Sequence, residues 1–275
     1  MRTALSPLSL LRPRTLRDAL TMMRDESPLT PVAGCTDLYV GLQFGTLADK
    51  RFVDLWPLPE LRGIADDGGT LRIGAMTTYT DLIQSALVRR RVPMLVAASR
   101  EVGGRQIQNR GTLGGNVANA SPAGDSLPVL SVADATVVLS CAAGERRVPF
   151  NSFYTGYRTS VRRPDEIIVA IEVPRIEGRQ YWRKVGTRRA QAISKVMCAA
   201  VRGPEVRVAL GSVAPTVLRL RRTERVLTAG SPLKQAQAVM RGEIQPIDDL
   251  RSTSDYRREV SLNLLSDFWH VTRKT

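Results

Sequence analysis

The chain has 275 residues, 43% of them hydrophobic and 24% charged, with a formal net charge of +14. This is ordinary globular composition with room for a sizeable core, and no apolar run approaches the roughly 20 residues that span a bilayer. The excess charge raises nucleic-acid binding, but arginines are scattered from Arg2 to Arg273, and the five Phe and six Tyr do not interleave with the short Arg clusters as stacking platforms do; a nucleic-acid partner is set aside.

The opening stretch "MRTALSPLSLLRPRTLRDAL" has no uninterrupted apolar region and no small-residue cleavage site. It therefore reads as mature structure of a cytoplasmic protein rather than as a targeting peptide. Thr15 with Asp18 three residues on has the pattern of a capping box and predicts a helix over about 15–25. "TPVAG" reads as a short strand, Gly34-Cys35 as a tight turn, "TDLYVGLQF" as a helix and "RFVDLW" as a second strand. "LRGIADDGGTLRIGAMTT" has the Asp-Asp-Gly-Gly signature of a hairpin. One helix follows from "TYTDLIQSALV" and another from "VPMLVAASREVG".

Next comes a stretch dense in Gly, Asn and Ser, "GTLGGNVANASPAGD", which reads as a loop. "DSLPVLSVADATVVLS" gives a short helix and a buried strand, and "EIIVAIEVP" a further strand. "RQYWRKVG", "ISKVMCAAVRG" and "EVRVALGSV" read as a three-stranded antiparallel sheet, and helices around "SPLKQAQAVMRG" and "DYRREVSLNLLSDFWHV" close the chain. The class is α+β, with boundaries expected near residues 57 and 175.

Subtraction narrows the chemistry. The single histidine, His270, belongs to the last helix, so Ser-His-Asp, Cys-His and His-based metal sites are not expected. Cys35, Cys141 and Cys198 are too scattered for a disulfide framework or a thiolate cluster. Neither the Walker pattern nor G-x-G-x-x-G occurs. A chain without its own acid–base machinery can instead hold a cofactor. Two segments offer backbone N–H groups to an anion: "PVAGCTDL", between a strand and a helix, and "GTLGGNVANASPAGD", with Thr112, Asn116, Asn119 and Ser121 as side-chain partners. Two nests gripping a pyrophosphate and two tight surface turns are both compatible with these residues.

Four stretches in order, "AGCTDL", "TLGGNVANASPAGDSLPVL", "FYTGYRTSVRRPDEIIVAIEVP" and "KVGTRRAQAISKV", resemble the FAD-binding medium subunit of the molybdenum hydroxylases, the relatives of xanthine dehydrogenase, carbon monoxide dehydrogenase and aldehyde oxidoreductase. The resemblance covers nearly the whole chain. It implies a p-cresol methylhydroxylase-type FAD-binding fold over residues 1–174, in subdomains of about 1–57 and 58–174, and a C-terminal domain over 175–275.

It also implies FAD contacts. Val32, Ala33, Gly34, Cys35, Thr36 and Asp37 would wrap the pyrophosphate. Thr112, Gly114, Gly115, Asn116 and Asn119 would form the other wall, with Gly103 nearby. Asp125 would reach toward the ribose or adenine end, Ile168 would pack near the adenine, Lys184 would lie beside the isoalloxazine ring, and Ile193 would sit in a loop screening the flavin. No catalytic or metal-ligating residue is expected in this chain. The first motif commonly has a second glycine where this chain has Cys35.

By the same resemblance the chain is an electron-transfer subunit of an oxidoreductase. The molybdenum cofactor would lie in a large subunit and [2Fe–2S] clusters in a small one, and FAD would pass electrons to NAD+ or another acceptor, with Arg188 and Arg189 steering an anionic partner. A free-standing flavoprotein oxidase and a non-catalytic module with a decayed FAD site are the alternatives from other classes.

Overall fold

A computed structural model describes residues 7–273; residues 1–6, where the reading of the opening stretch begins, and residues 274–275 lie outside the described part. The Thr15 capping box forms. Its hydroxyl accepts the N–H of Asp18 at 3.1 Å, the Asp18 carboxylate accepts the N–H of Thr15 at 3.1 Å, and the Leu16–Asp25 helix follows. That helix buries Ala19 and Met23 completely. It leads into a small parallel sheet in which Arg51–Asp54 is flanked by Ser9–Leu11 and Thr30–Val32. The Ser9–Leu11 strand carries no strong alternation and went unread in the sequence.

The second unit is a five-stranded antiparallel sheet. Its strand order is Ile64–Asp67, Thr70–Gly74, Ile167–Val173, Thr136–Cys141 and Gly144–Pro149. Thr136–Cys141 is apolar on consecutive positions because both faces are covered. Val137 and Leu139 point into the main core with Leu95, Leu113 and Leu130, while Val138 packs on the other side against Ala19 and Met23. A register shift between Ile168 and Ala170 breaks the two-residue period of the Ile167–Val173 strand, so Ile168 and Ile171 share the main core.

The third layer is the C-terminal sheet. It has the three expected strands, Arg179–Gly186, Ser194–Arg202 and Val206–Gly211, plus a two-residue edge, Leu218–Arg219. One face, with Ala199, Val201 and Ala209, joins the main core; the other, with Cys198, Ala200, Val208 and Leu210, packs under three helices. Two of these, Leu233–Arg241 and Ser254–Val271, match the reading. The third, Arg221–Thr228, falls within a run of arginines that masks its amphipathic face.

Two expectations are corrected. The helix expected from "TYTDLIQSALV" is two helices, Tyr79–Gln84 and Ala86–Arg91: Ser85 turns extended at ψ 116°, and its hydroxyl accepts the N–H of Val88 to start the second. The Gly-rich stretch is no plain loop. Residues Leu113–Asn119 are helical, with the Thr112 hydroxyl capping Gly115 N–H at 3.0 Å. The glycines serve close packing here, because a Cβ on Gly114 would stand 2.5 Å from Ala75 Cβ and 2.7 Å from its carbonyl oxygen.

Candidate functional site

The two segments expected to form a site meet. A Cβ on Gly34 would lie 1.7 Å from the carbonyl oxygen of Arg110, so the first turn sits directly on the backbone that enters the second segment. The Cβ of Ala33 lies 3.7 Å from where a Cβ on Gly115 would stand. Arg158 ties the two together from the tip of the Tyr154–Ser160 hairpin: its guanidinium donates to Asn119 Oδ1 at 2.7 Å and lies 3.8 Å from the Asp37 carboxylate.

The turn itself is built to present donors. The backbone N–H groups of residues 33–37 donate no hydrogen bond to any described residue, and unengaged N–H groups around a residue with positive φ are a backbone pattern suited to an anion. Cys35 takes φ 62°, the left-handed conformation that glycine adopts without strain and that costs another residue about 1–2 kcal/mol. The Cys35 Sγ points back to the Ala33 carbonyl at 3.5 Å, and burial pushes the thiol pKa up, with the Arg110 charge offsetting part of that rise.

The second segment differs from the sequence reading. The Leu113 N–H donates to Thr77 O at 3.0 Å, Gly114 N–H to Ala75 O at 2.9 Å, Gly115 N–H to the Thr112 hydroxyl and Asn116 N–H to Thr112 O. The first two dock the helix on the turn after the Thr70–Gly74 strand and the other two close on Thr112 at the helix start, so they make no second nest. The segment contributes a wall of small residues and side-chain amides instead. Asn116 Oδ1 accepts from Ser126 at 2.6 Å, which fixes the Asn116 side chain in place.

Deeper in, Lys184 donates to Asp125 Oδ2 at 2.8 Å and to the Glu101 carbonyl at 3.0 Å. The two side chains are only 4% and 10% exposed. The other carboxylate oxygen of Asp125, Oδ1, is buried with no hydrogen-bond partner among the described residues. Burial raises the Asp125 pKa to about 6 even though Lys184 pulls it down. Gly103, at φ 51°, turns the chain beside this pair, and Gly104 carries the Gln191 side chain 3.0 Å from where a Cβ would stand. The exposed loop holding Ile193 therefore rests on the Gly103–Gly104 turn. Arg188 is folded back onto the Ala190 and Gln191 carbonyls of that loop, and Ile168 is a core residue of its strand.

Arg158, Ser126, Glu101 and Arg110 went unread, since single arginines and a backbone carbonyl carry no local pattern. The repeated placement of an Arg beside a Gly or Asn motif, as in "NRGT" and "GYRT", was the available signal. Among the described residues no group of His, Cys, Asp or Glu is arranged to hold a metal ion, and no helix is long and apolar enough to cross a membrane.

A turn of unengaged N–H donors, a buried carboxylate oxygen awaiting a donor and a wall of small residues fit a long, polar, phosphate-bearing cofactor. Residues 6–176 match the family described as the FAD binding domain in molybdopterin dehydrogenase, and residues 181–272 match the CO dehydrogenase flavoprotein C-terminal domain. The chain belongs to this family of FAD-binding oxidoreductase subunits.

Among its relatives is the xanthine dehydrogenase FAD-binding subunit of Escherichia coli O157:H7, 34% identical over 262 residues covering 90% of this chain and 89% of that one. The glyceraldehyde dehydrogenase medium chain of Sulfolobus acidocaldarius is 31% identical, over 92% of this chain and 93% of that one. The fold superposes on a chain of carbon monoxide dehydrogenase from Hydrogenophaga pseudoflava, in a form lacking the Mo-pyranopterin moiety of the molybdenum cofactor. That match has a TM-score of 0.89 and 28% identity, and covers 94% of this chain and 95% of the other.

Proposed function

We propose that the chain is the electron-transfer medium subunit of a molybdenum hydroxylase. It would take electrons from [2Fe–2S] clusters of a small partner subunit, fed by a molybdenum cofactor in a large one, and deliver them to NAD+ or another acceptor. The observation that carries this reading is the run of unengaged N–H groups at 33–37 beside a wall of small residues, in a chain of this family. FAD, when bound, supplies the exchange between one-electron and two-electron carriers.

The chain's residues bind and orient. Residues 33–37 hold the pyrophosphate through N–H donors, with Val32 ending the strand that leads into them, and Thr112, Gly114, Gly115, Asn116 and Asn119 close the opposite side. Because Asp125 and Lys184 form one ion pair, a single part of the cofactor meets both, with Oδ1 as the free acceptor. Ile168 contributes only as wall. The loop with Ile193, resting on Gly103–Gly104, screens the site from water; Arg189 is its cation available for steering, since Arg188 is engaged within the loop. The matched spans support a division near residue 175 between an FAD-binding domain and a C-terminal domain. A cytoplasmic location goes with three free thiols.

The test is the visible absorption spectrum of the full chain, alone and co-expressed with its partner subunits, after loading with FAD and removing the excess. Retained flavin bands, with FAD rather than FMN released on denaturation, support the reading. A colourless protein in both preparations refutes it.

A further inference from the structure

We propose that Arg110 is a phosphate-contacting residue of the cofactor site, its guanidinium held over the 33–37 turn by stacking on Trp56. This rests on the FAD reading above and adds a residue that the motif resemblance does not single out. The N–H groups of the turn are neutral donors, whereas a pyrophosphate carries full negative charge. A guanidinium matches phosphate oxygens with paired donors and keeps its charge at any working pH.

Three observations converge on Arg110. Its backbone carbonyl is the surface against which Gly34 packs, so the residue is anchored to the turn. Its guanidinium carbon lies 3.6 Å from the centroid of the Trp56 ring. Its side chain makes no hydrogen bond or ion pair with any described residue, so its donors remain unengaged.

Arg62, the other cation on Trp56 at 4.4 Å, is spent differently, donating to Met76 O at 3.1 Å and to Trp56 O at 2.9 Å. Arg62 thus locks the indole, and the indole presents Arg110. The guanidinium is also near the turn, since its charge lowers the pKa of the Cys35 thiol in the middle of it. Stacking an arginine on a ring limits its rotamers and reduces the entropy lost when an anion is gripped. Neither nearby carboxylate pairs with Arg110: Asp54 accepts the N–H of Trp56 at 2.9 Å, and Asp37 lies 3.8 Å from Arg158.

The experiment compares FAD with riboflavin, which has the ring and no phosphate. The full chain and its Arg110→Gln, Arg110→Lys and Trp56→Leu variants are titrated with each, following flavin fluorescence at several salt concentrations. Arg110→Gln is expected to weaken FAD about tenfold, leave riboflavin unchanged and flatten the salt dependence of FAD binding by about one charge. Arg110→Lys recovers part of the loss, and Trp56→Leu gives a smaller loss of the same kind. FAD affinity unchanged in Arg110→Gln, or an equal loss for riboflavin, overturns the inference while leaving the cofactor reading standing. Failure of the wild-type chain to bind FAD, both alone and co-expressed with its partner subunits, overturns both.

Discussion

Asp125 and Lys184 stand 59 residues apart in sequence, yet their carboxylate and ammonium meet at 2.8 Å in a site where neither side chain is more than 10% exposed. One comes from the loop after the Leu113–Asn119 helix and the other from the first strand of the C-terminal sheet. The pair therefore fastens the two domains together at the candidate cofactor site.

Lys184→Met leaves that carboxylate without its partner. The Asp125 pKa, about 6 in the fold, exceeds the roughly 3.9 of an unfolded chain. The folded state thus binds this proton more tightly, and the group's contribution to stability falls as pH rises from about 4 to about 6. Removing Lys184 raises the carboxyl further. Urea unfolding is expected to show a loss of about 3–5 kcal/mol at pH 8 and a much smaller one at pH 5, where Asp125 takes up a proton. An equal loss at both pH values would mean that the pair is solvated.

Gly34→Ala places a methyl 1.7 Å from the Arg110 carbonyl oxygen, a backbone atom that cannot swing aside. The two segments must separate, at a cost of roughly 3 kcal/mol or more. FAD titration and thermal melting should both register it. A variant with wild-type melting and wild-type FAD affinity would show that the segments are not in contact.

Cys35 offers a milder test of the same turn. Cys35→Gly relieves left-handed strain worth about 1–2 kcal/mol but loosens the unfolded chain by about 0.5–1 kcal/mol, so stability should change little and FAD binding should persist. Cys35→Val puts a β-branched residue at φ 62° and should cost about 1–2 kcal/mol by urea midpoint. A neutral valine would contradict the positive φ.

Asp134, at φ 49°, accepts from Arg207 at 3.0 Å and Arg219 at 2.8 Å, joining the end of the Leu127–Val132 helix to the C-terminal sheet. Burial works against its charge, but the two arginines more than offset that and hold its carboxyl below the usual range. Asp134→Asn keeps a residue that tolerates the left-handed backbone and removes only the charge. With that carboxylate 42% exposed, solvent screening limits the loss to about 1 kcal/mol at pH 7. The loss should begin to shrink below about pH 4, where the unfolded chain's carboxyl takes up its proton, and vanish only once the folded carboxyl, held lower, is protonated too; denaturation curves at pH 7 and pH 3 check the decline.

The legible parts of this chain were those encoded locally. The Thr15 box, the Asp-Asp-Gly-Gly hairpin and the apolar strands needed only neighbours within a few residues. The Leu113–Asn119 helix was hidden because Gly114 and Gly115 lower helix propensity, and what holds the helix in place is a turn far earlier in the chain, at Ala75 and Thr77. The site was legible as two motifs, whereas their division of labour was not. Which N–H groups remain available depends on who else claims them, and the Asp125–Lys184 and Arg158–Asn119 contacts join positions that no spacing rule connects.

The unequal fate of those N–H groups separates two kinds of failure. At Leu113–Asn116 every donor is already satisfied by protein, so this wall stands complete in the empty protein, and damage to it is read as misfolding. At 33–37 the N–H groups donate to no described residue, so on the proposed reading damage there that leaves the close-packed Gly34 intact is expected to give a folded, colourless subunit. Inherited or engineered variants of the two segments should therefore sort by phenotype, insoluble on one side and soluble but flavin-free on the other.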